Sequence, residues 1–264
     1  MKIAVSGKGG VGKTFITSIL AQYFLKKGFK VLAIDADPSP NLGVNLGLTF
    51  DKIKSITPIL ENFDLIKSKT DSGIPGIYKL NFEVEDVIKN YSIATPSGVN
   101  LIVMGVIKSP ESGCTCPANA FIKTLLKHLL TKRDEVIIMD MEAGTEHLGR
   151  GTAKHVDLML IISDSNLKSL NIALKIHELS IKMGIKHVFL VGNKILNEKD
   201  KEVILNFSLN NGLNVIGFVP YDYKIIENEL CGEYSYKFQS ESIHAIEDVG
   251  EKIFTEKGTY RLKL

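Results

Sequence analysis

Cysteine is scarce, with three residues in a chain of 264. So few thiols argue against a structural disulfide framework and favour a reducing cytoplasm as the compartment. Long apolar runs are lacking too: none reaches the roughly 18 residues that a membrane span needs. No secretory leader is expected, because "MKIAVSGKGG" enters a strand at once. Charge of one sign is also missing. The formal net charge is +2, and lysines gather in short pieces such as Lys26 and Lys27 that read as solvated helix ends. A basic stripe for nucleic acid is therefore not expected, nor a membrane-bound form.

What remains is ordinary globular composition, 44% hydrophobic and 23% charged, in a chain long enough to bury about three-quarters of its unfolded surface. Short, nearly continuous apolar runs recur at 2–7, 30–35, 100–105, 135–140, 158–163, 187–192 and 214–219. Runs of that kind suit strands covered on both faces. Helical periodicity fills the intervals. In 14–27 it places Ile16, Ile19, Leu20 and Tyr23 on one face, with Gly28 as a stop, and similar patterns run over 118–132 and 166–183. Alternating strands and helices predict an α/β fold, a mainly parallel sheet flanked by helices on both faces, as one domain over 1–264. Residues 49–98 interrupt the alternation with prolines, glycines and mixed charge. They read as an excursion on the strand ends, with a small added hairpin expected near 77–84.

Residues 7–14, "GKGGVGKT", match the phosphate-loop pattern G-x-x-x-x-G-K-[ST] between a strand and a helix. In such a loop the backbone N–H groups of Gly7, Lys8, Gly9, Gly10, Val11 and Gly12 can curl around phosphate oxygens. The following helix offers its positive N-terminal end. Lys13 can reach the β- and γ-phosphates of ATP, and the Thr14 hydroxyl can ligate Mg²⁺. Asp35 and Asp37 leave the carboxyl end of the second strand, where open α/β sheets place ligands. Asp140 ends another apolar run, the position of a carboxylate that holds Mg²⁺ through water.

The early lysine in "GKGGVGKT" makes the loop resemble the deviant Walker A loop of the MinD, ParA, ArsA, Mrp and nitrogenase iron protein family of P-loop NTPases. The resemblance implies that Lys8 reaches across a homodimer to the partner's phosphates. It implies that Asp37, before Pro38, orients or deprotonates the attacking water, and that Gly144 lets the loop after Asp140 respond to the γ-phosphate. By the same resemblance Asn193 in "GNK" contacts the purine, and "VPYD", with Pro220 and Asp222, closes over base and ribose.

"GCTCPANA" and "DMEAGTEHLGRG" narrow the resemblance to the CooC-type accessory ATPases of carbon monoxide dehydrogenase maturation. The match covers nearly the whole chain and is silent over 49–98. Phe15 stands where relatives commonly carry Thr or Ser; Thr14 retains the metal hydroxyl. Cys114 and Cys116 are one residue apart, and two thiolates are half of a tetrahedral set. A two-fold axis through the pair would supply the other half. The resemblance implies that same Cys₄ arrangement, holding Ni²⁺ or Zn²⁺ for a carbon monoxide dehydrogenase or acetyl-CoA synthase client. Inert buried thiols and a redox pair are the alternative readings. Cys231 reads as a packing residue, and Glu146 and His147 as switch-loop residues. A C-terminal stripe of Ile243, Ile246, Val249 and Ile253 reads as core-facing, against a MinD-type membrane helix. An iron–sulfur carrier or iron-protein-like ATPase, and a MinD/ParA-type positioning switch, are the alternative functions.

Overall fold

The computed structural model describes residues 1–74, 77–79, 81–105, 116–132, 135–141, 155–230 and 237–256. In chain order the elements are β1 (Lys2–Gly7), α1 (Lys13–Lys26), β2 (Val31–Ala36), α2 (Leu42–Asn45), α3 (Phe50–Lys54), a 3₁₀ turn (Ile59–Glu61), α4 (Phe63–Thr70), α5 (Glu85–Tyr91), β3 (Ile93–Ala94), β4 (Asn100–Val103), α6 (Cys116–Lys132), β5 (Val136–Met141), β6 (Leu158–Ser163), α7 (Leu167–Lys182), β7 (His187–Ile195), α8 (Glu198–Asn211), β8 (Asn214–Pro220), α9 (Tyr223–Leu230) and α10 (Glu241–Glu256). Eight strands form one sheet in the order β3-β4-β2-β5-β1-β6-β7-β8. Every pairing is parallel except β3 against β4.

Alternation along each strand divides the core in two. Ile3 and Val5 of β1 and Val31 and Ala33 of β2 pack with α1, α2 and α10. Ala4, Leu32, Ile34 and Ala36 face the opposite layer of α4 to α8. Both faces are thus covered, which is why these strands read as unbroken apolar runs. The face predicted for α1 is buried as expected, but Thr17, Ser18, Ala21 and Gln22 are buried as well. The helix is enclosed because α2 and α10 flank it on the sheet. The C-terminal stripe lies in the same core layer: Ile243, Ile246, Val249 and Ile253 are all buried. Among the described residues no helix is long and apolar enough to cross a membrane.

Among the described residues of 77–84 the expected hairpin is not formed. A single antiparallel bridge joins Asp71 to Tyr78, and the chain turns into α5 after Val84. Nor does 49–98 project from the strand ends. It sends Ile59, Leu60, Ile66, Val84, Val87 and Ile88 into the main core and closes the sheet edge with β3. Helical spacing of those six apolar residues, split among three short helical turns, is too brief to stand out in the sequence.

Candidate functional site

Strand order builds the site. β5 lies between β2 and β1, so three carboxyl ends stand side by side at the middle of one sheet edge. Asp35 pairs in register with Asp140 across β2 and β5, and Val5 with Asp140 across β1 and β5. The loop 8–12 leaves β1 beside them. Its geometry needs glycine at two points in particular. A Cβ on Gly7 would stand 2.3 Å from the Ile162 carbonyl oxygen. Gly12, the N-cap of α1, has φ 93°, in the left-handed region, and a Cβ there would meet Asn193 Nδ2 at 2.4 Å.

Lys13 is buried, and its ammonium donates to the Lys8 carbonyl at 3.3 Å. The same oxygen accepts from the Val11 N–H at 3.4 Å. Lys8 itself is half-buried, while Gly9 and Gly10 are exposed at the loop tip. The Asp140 Oδ1 takes a hydrogen bond from the Thr17 hydroxyl at 3.5 Å, and the Thr14 side chain stands near enough to favour the charged carboxylate. Asp140 Oδ2 is buried with no hydrogen-bond partner. Burial pushes Asp140 up to about 6, countered by Thr14 and the Lys13 charge. Asp35 is pushed up to about 7, by burial first and then by the neighbouring Asp140. A buried carboxylate oxygen with no donor is costly unless a cation or a proton satisfies it. Mg²⁺ fits that place: it binds through one or two carboxylates, hydroxyls and retained waters rather than an all-protein cage. Among the described residues no group of three or more His, Cys, Asp and Glu is placed to hold a metal by itself.

Asp37 follows β2 at the rim, half-buried, its Oδ1 accepting the Ser39 N–H at 2.8 Å. On the far side of β1, Asn193 is buried, and its amide donates to the Val11 carbonyl at 2.7 Å. Next to it, Lys194 has φ 59° and donates to the Gly10 carbonyl at 2.8 Å. The β7–β8 register slips between Gly192 and Ile195. Such a slip re-aims side chains at a strand end, and here both residues turn onto the phosphate loop. Pro220 ends β8, with its carbonyl taken by the Ser242 hydroxyl at 2.8 Å. Asp222, the residue before α9, accepts the Lys224 N–H at 3.0 Å. Cys116 opens α6. Cys114, Gly144, Glu146, His147 and Cys231 lie outside the described residues.

Of the predicted residues, the structure gathers Gly7 to Thr14, Asp37, Asp140 and Asn193 about one loop. Two participants were not picked out from the sequence, Thr17 and Lys194, and Asp35 was placed at the strand end without a role. Asp35 had a visible signal, a carboxylate inside an apolar strand run. Thr17 and Lys194 had none, because their partners are distant in sequence.

A glycine loop between strand and helix, with buried carboxylates on the two adjacent strand ends, defines a P-loop nucleotide-binding α/β protein. Residues 2–235 match the family described as the CobQ/CobB/MinD/ParA nucleotide binding domain, and the chain belongs to that family. Among relatives, it is 42% identical over 266 residues to an uncharacterised ATP-binding protein of Methanocaldococcus jannaschii, covering 98% of this chain and all of that one. It is 37% identical over 238 residues to the carbon monoxide dehydrogenase accessory protein CooC of Rhodospirillum rubrum, covering 89% of each. The CooC-type resemblance thus extends through most of the chain. The septum site-determining protein MinD of Pyrococcus horikoshii, complexed with Mg-ADP, superposes with a TM-score of 0.66 at 20% identity, over 99% of this chain and 98% of that one. A chain of the MinC:MinD complex of Aquifex aeolicus gives 0.67 at 23% identity, over 99% and 98%. These two likenesses establish the fold.

Proposed function

We propose that the chain is a CooC-type ATPase, a cytoplasmic homodimer that carries Ni²⁺ or Zn²⁺ between paired thiolates and delivers it to a carbon monoxide dehydrogenase or related acetyl-CoA synthase client. The observation that carries the reading is a juxtaposition. The phosphate loop and the carboxylates of Asp35 and Asp140 share one strand edge, and α6, which begins at Cys116, packs on the same strands. The whole of 1–264 is read as one nucleotide-binding domain, with 49–98 part of its core.

In this reading the N–H groups of residues 7–12 cradle the phosphates of ATP, and Lys13 turns its ammonium from the Lys8 carbonyl to the β- and γ-phosphates. Thr14, and Asp140 through water, would hold Mg²⁺, which supplies neutralising charge to the phosphates when bound. Asp37 lines up the water that attacks the γ-phosphorus. The bond to the β–γ bridging oxygen breaks, giving ADP and phosphate. Lys8 of each subunit adds a cation to the other subunit's phosphates, where negative charge shifts during the transfer. Asn193, Pro220 and Asp222 border the base and ribose. The metal cargo sits on Cys114 and Cys116 of both subunits, and the γ-phosphate biases whether it is gripped or released.

The test is metal titration of anaerobically purified protein with Ni²⁺ and with Zn²⁺, with and without ADP or ATP. Mass is measured in parallel, and Cys114→Ala/Cys116→Ala is run beside wild type. One metal per dimer, lost in the double variant, is expected. Metal held by monomers, or surviving in the double variant, sinks the shared-thiolate reading; a bound iron–sulfur chromophore moves it to a cluster carrier.

A further inference from the structure

Asp35 is fully buried on a central strand, and its two oxygens are committed to one loop. Oδ1 accepts the Asp37 N–H at 3.2 Å, and Oδ2 accepts the Leu42 N–H at 2.9 Å. Those two amides mark the ends of the segment that carries Asp37. Between them Asp37 Oδ1 takes the Ser39 N–H, and the Asn41 amide donates to the Ser39 carbonyl at 2.9 Å. Beyond Leu42 the chain is anchored, because Leu42 opens α2 with its side chain fully buried. The clamp is itself fixed: the Asp35 backbone carbonyl accepts the Met104 N–H at 2.8 Å, and β2 pairs with β4 and β5 on its two sides.

Placing a carboxylate there is expensive. It loses water and stands beside Asp140, and both effects disfavour its charge. An Asn of the same shape avoids that cost but has one acceptor oxygen, so it cannot take both N–H groups. The need for two acceptors in one small side chain is the physical reason for Asp at this point. We infer that Asp35 is a positioning residue for ATP hydrolysis: by holding the backbone at residues 37 and 42 it fixes where the Asp37 carboxylate stands. The inference rests on the proposed role of Asp37 in aligning water. An aligned group displaced by about 1 Å costs on the order of 100-fold in rate, so a clamp acting only on position is sufficient to control turnover.

The experiment is steady-state ATPase kinetics with Mg²⁺ on the full chain, comparing wild type, Asp35→Asn, Asp37→Ala and the double variant. Asp35→Asn is expected to lower kcat by roughly 10–100-fold with KM for ATP and the Mg²⁺ activation constant within about threefold. In the Asp37→Ala background the same change should have no further effect, because both act through one group. Additive losses, or unchanged kcat in Asp35→Asn, overturn the positioning role. A raised Mg²⁺ requirement at unchanged saturated kcat makes Asp35 a cation ligand instead, which also overturns it. If Asp37→Ala turns over like wild type, the proposed role of Asp37 fails and takes the inference with it, a separate outcome from those above. Should Asp35→Asn not fold, native-state hydrogen exchange on wild type decides. The clamp requires the Asp37 and Leu42 amides to open together and more slowly than Ser39, and independent opening rules it out.

Discussion

At the scale of single residues, the site depends on close approaches that leave no space for a side chain. Gly12 combines a left-handed φ with contact against the Asn193 amide. Gly12→Ala should therefore strain the backbone by about 1 kcal/mol or more and push away the amide that holds the Val11 carbonyl. Affinity for a fluorescent ADP analogue is expected to fall at least about tenfold, while thermal unfolding moves by only a few degrees. Full-strength binding would contradict the geometry. The two buried carboxylates set a second expectation. Their folded values, about 7 for Asp35 and about 6 for Asp140, exceed the roughly 3.9 of an unfolded aspartate. The folded state then holds protons that the unfolded chain has released. This contribution to stability is full below about pH 4 and is lost as pH rises through the folded values. Nucleotide-free Asp140→Asn has no such charge to bury. Its stability relative to wild type should increase from about pH 4 to about pH 6 and level off above that, as read by urea unfolding at each pH; a difference independent of pH would show that Asp140 is ionised at no cost. Lys13 and Thr14 were legible in the sequence because the phosphate-loop spacing is local, and Asp140 because it ends an apolar run. The grip of Asn193 and Lys194 on the loop was not, since it depends on a register slip between β7 and β8 that no periodicity announces.

At the scale of elements, α10 shows how a pattern gains meaning from its partner. Its apolar stripe could serve a membrane surface or a core, and the sequence reads it as core-facing. The structure seats the stripe against α1 and β8, with Ile246 fully buried in the layer that contains Tyr23 and Phe24. Around it the surface pairs Lys26–Glu247 and Lys27–Glu251 close the seam at 2.8 and 2.7 Å, and exposed pairs of this kind contribute little because solvent screens them. Burial therefore holds the helix. Ile246→Ala is expected to cost about 2–5 kcal/mol in denaturant unfolding, whereas Lys26→Ala should cost no more than about 1 kcal/mol. Similar losses for the two would mean that the seam, not the stripe, docks α10. The strands were legible for the complementary reason: two-sided burial made each one a continuous apolar run. The helices of 49–98 escaped because each contributes only one turn or two to the core, too little for a 3.6-residue period to repeat.

At the scale of the whole molecule, the proposed function leaves one chain incomplete in two places at once. Two thiolates make half a tetrahedral metal set, and Lys8, whose side chain has no hydrogen bond to any described residue, belongs by the family resemblance to a neighbour's phosphates. In the proposed dimer a second copy would meet each deficiency. Metal and ATP should then each favour the dimer independently. Because both bind the same associated state, they must also favour one another: whatever factor ATP contributes to metal affinity, metal contributes to ATP affinity. The variants separate the two. Lys8→Ala should abolish the ATP-dependent rise in dimer affinity while metal still promotes association. Cys114→Ala/Cys116→Ala should do the reverse. Sedimentation at several concentrations, with each ligand alone and both together, measures all four terms. A dimer equally stable in both variants and indifferent to both ligands would place the metal and the nucleotide on separate events, and would break the link between hydrolysis and delivery on which the proposed function depends.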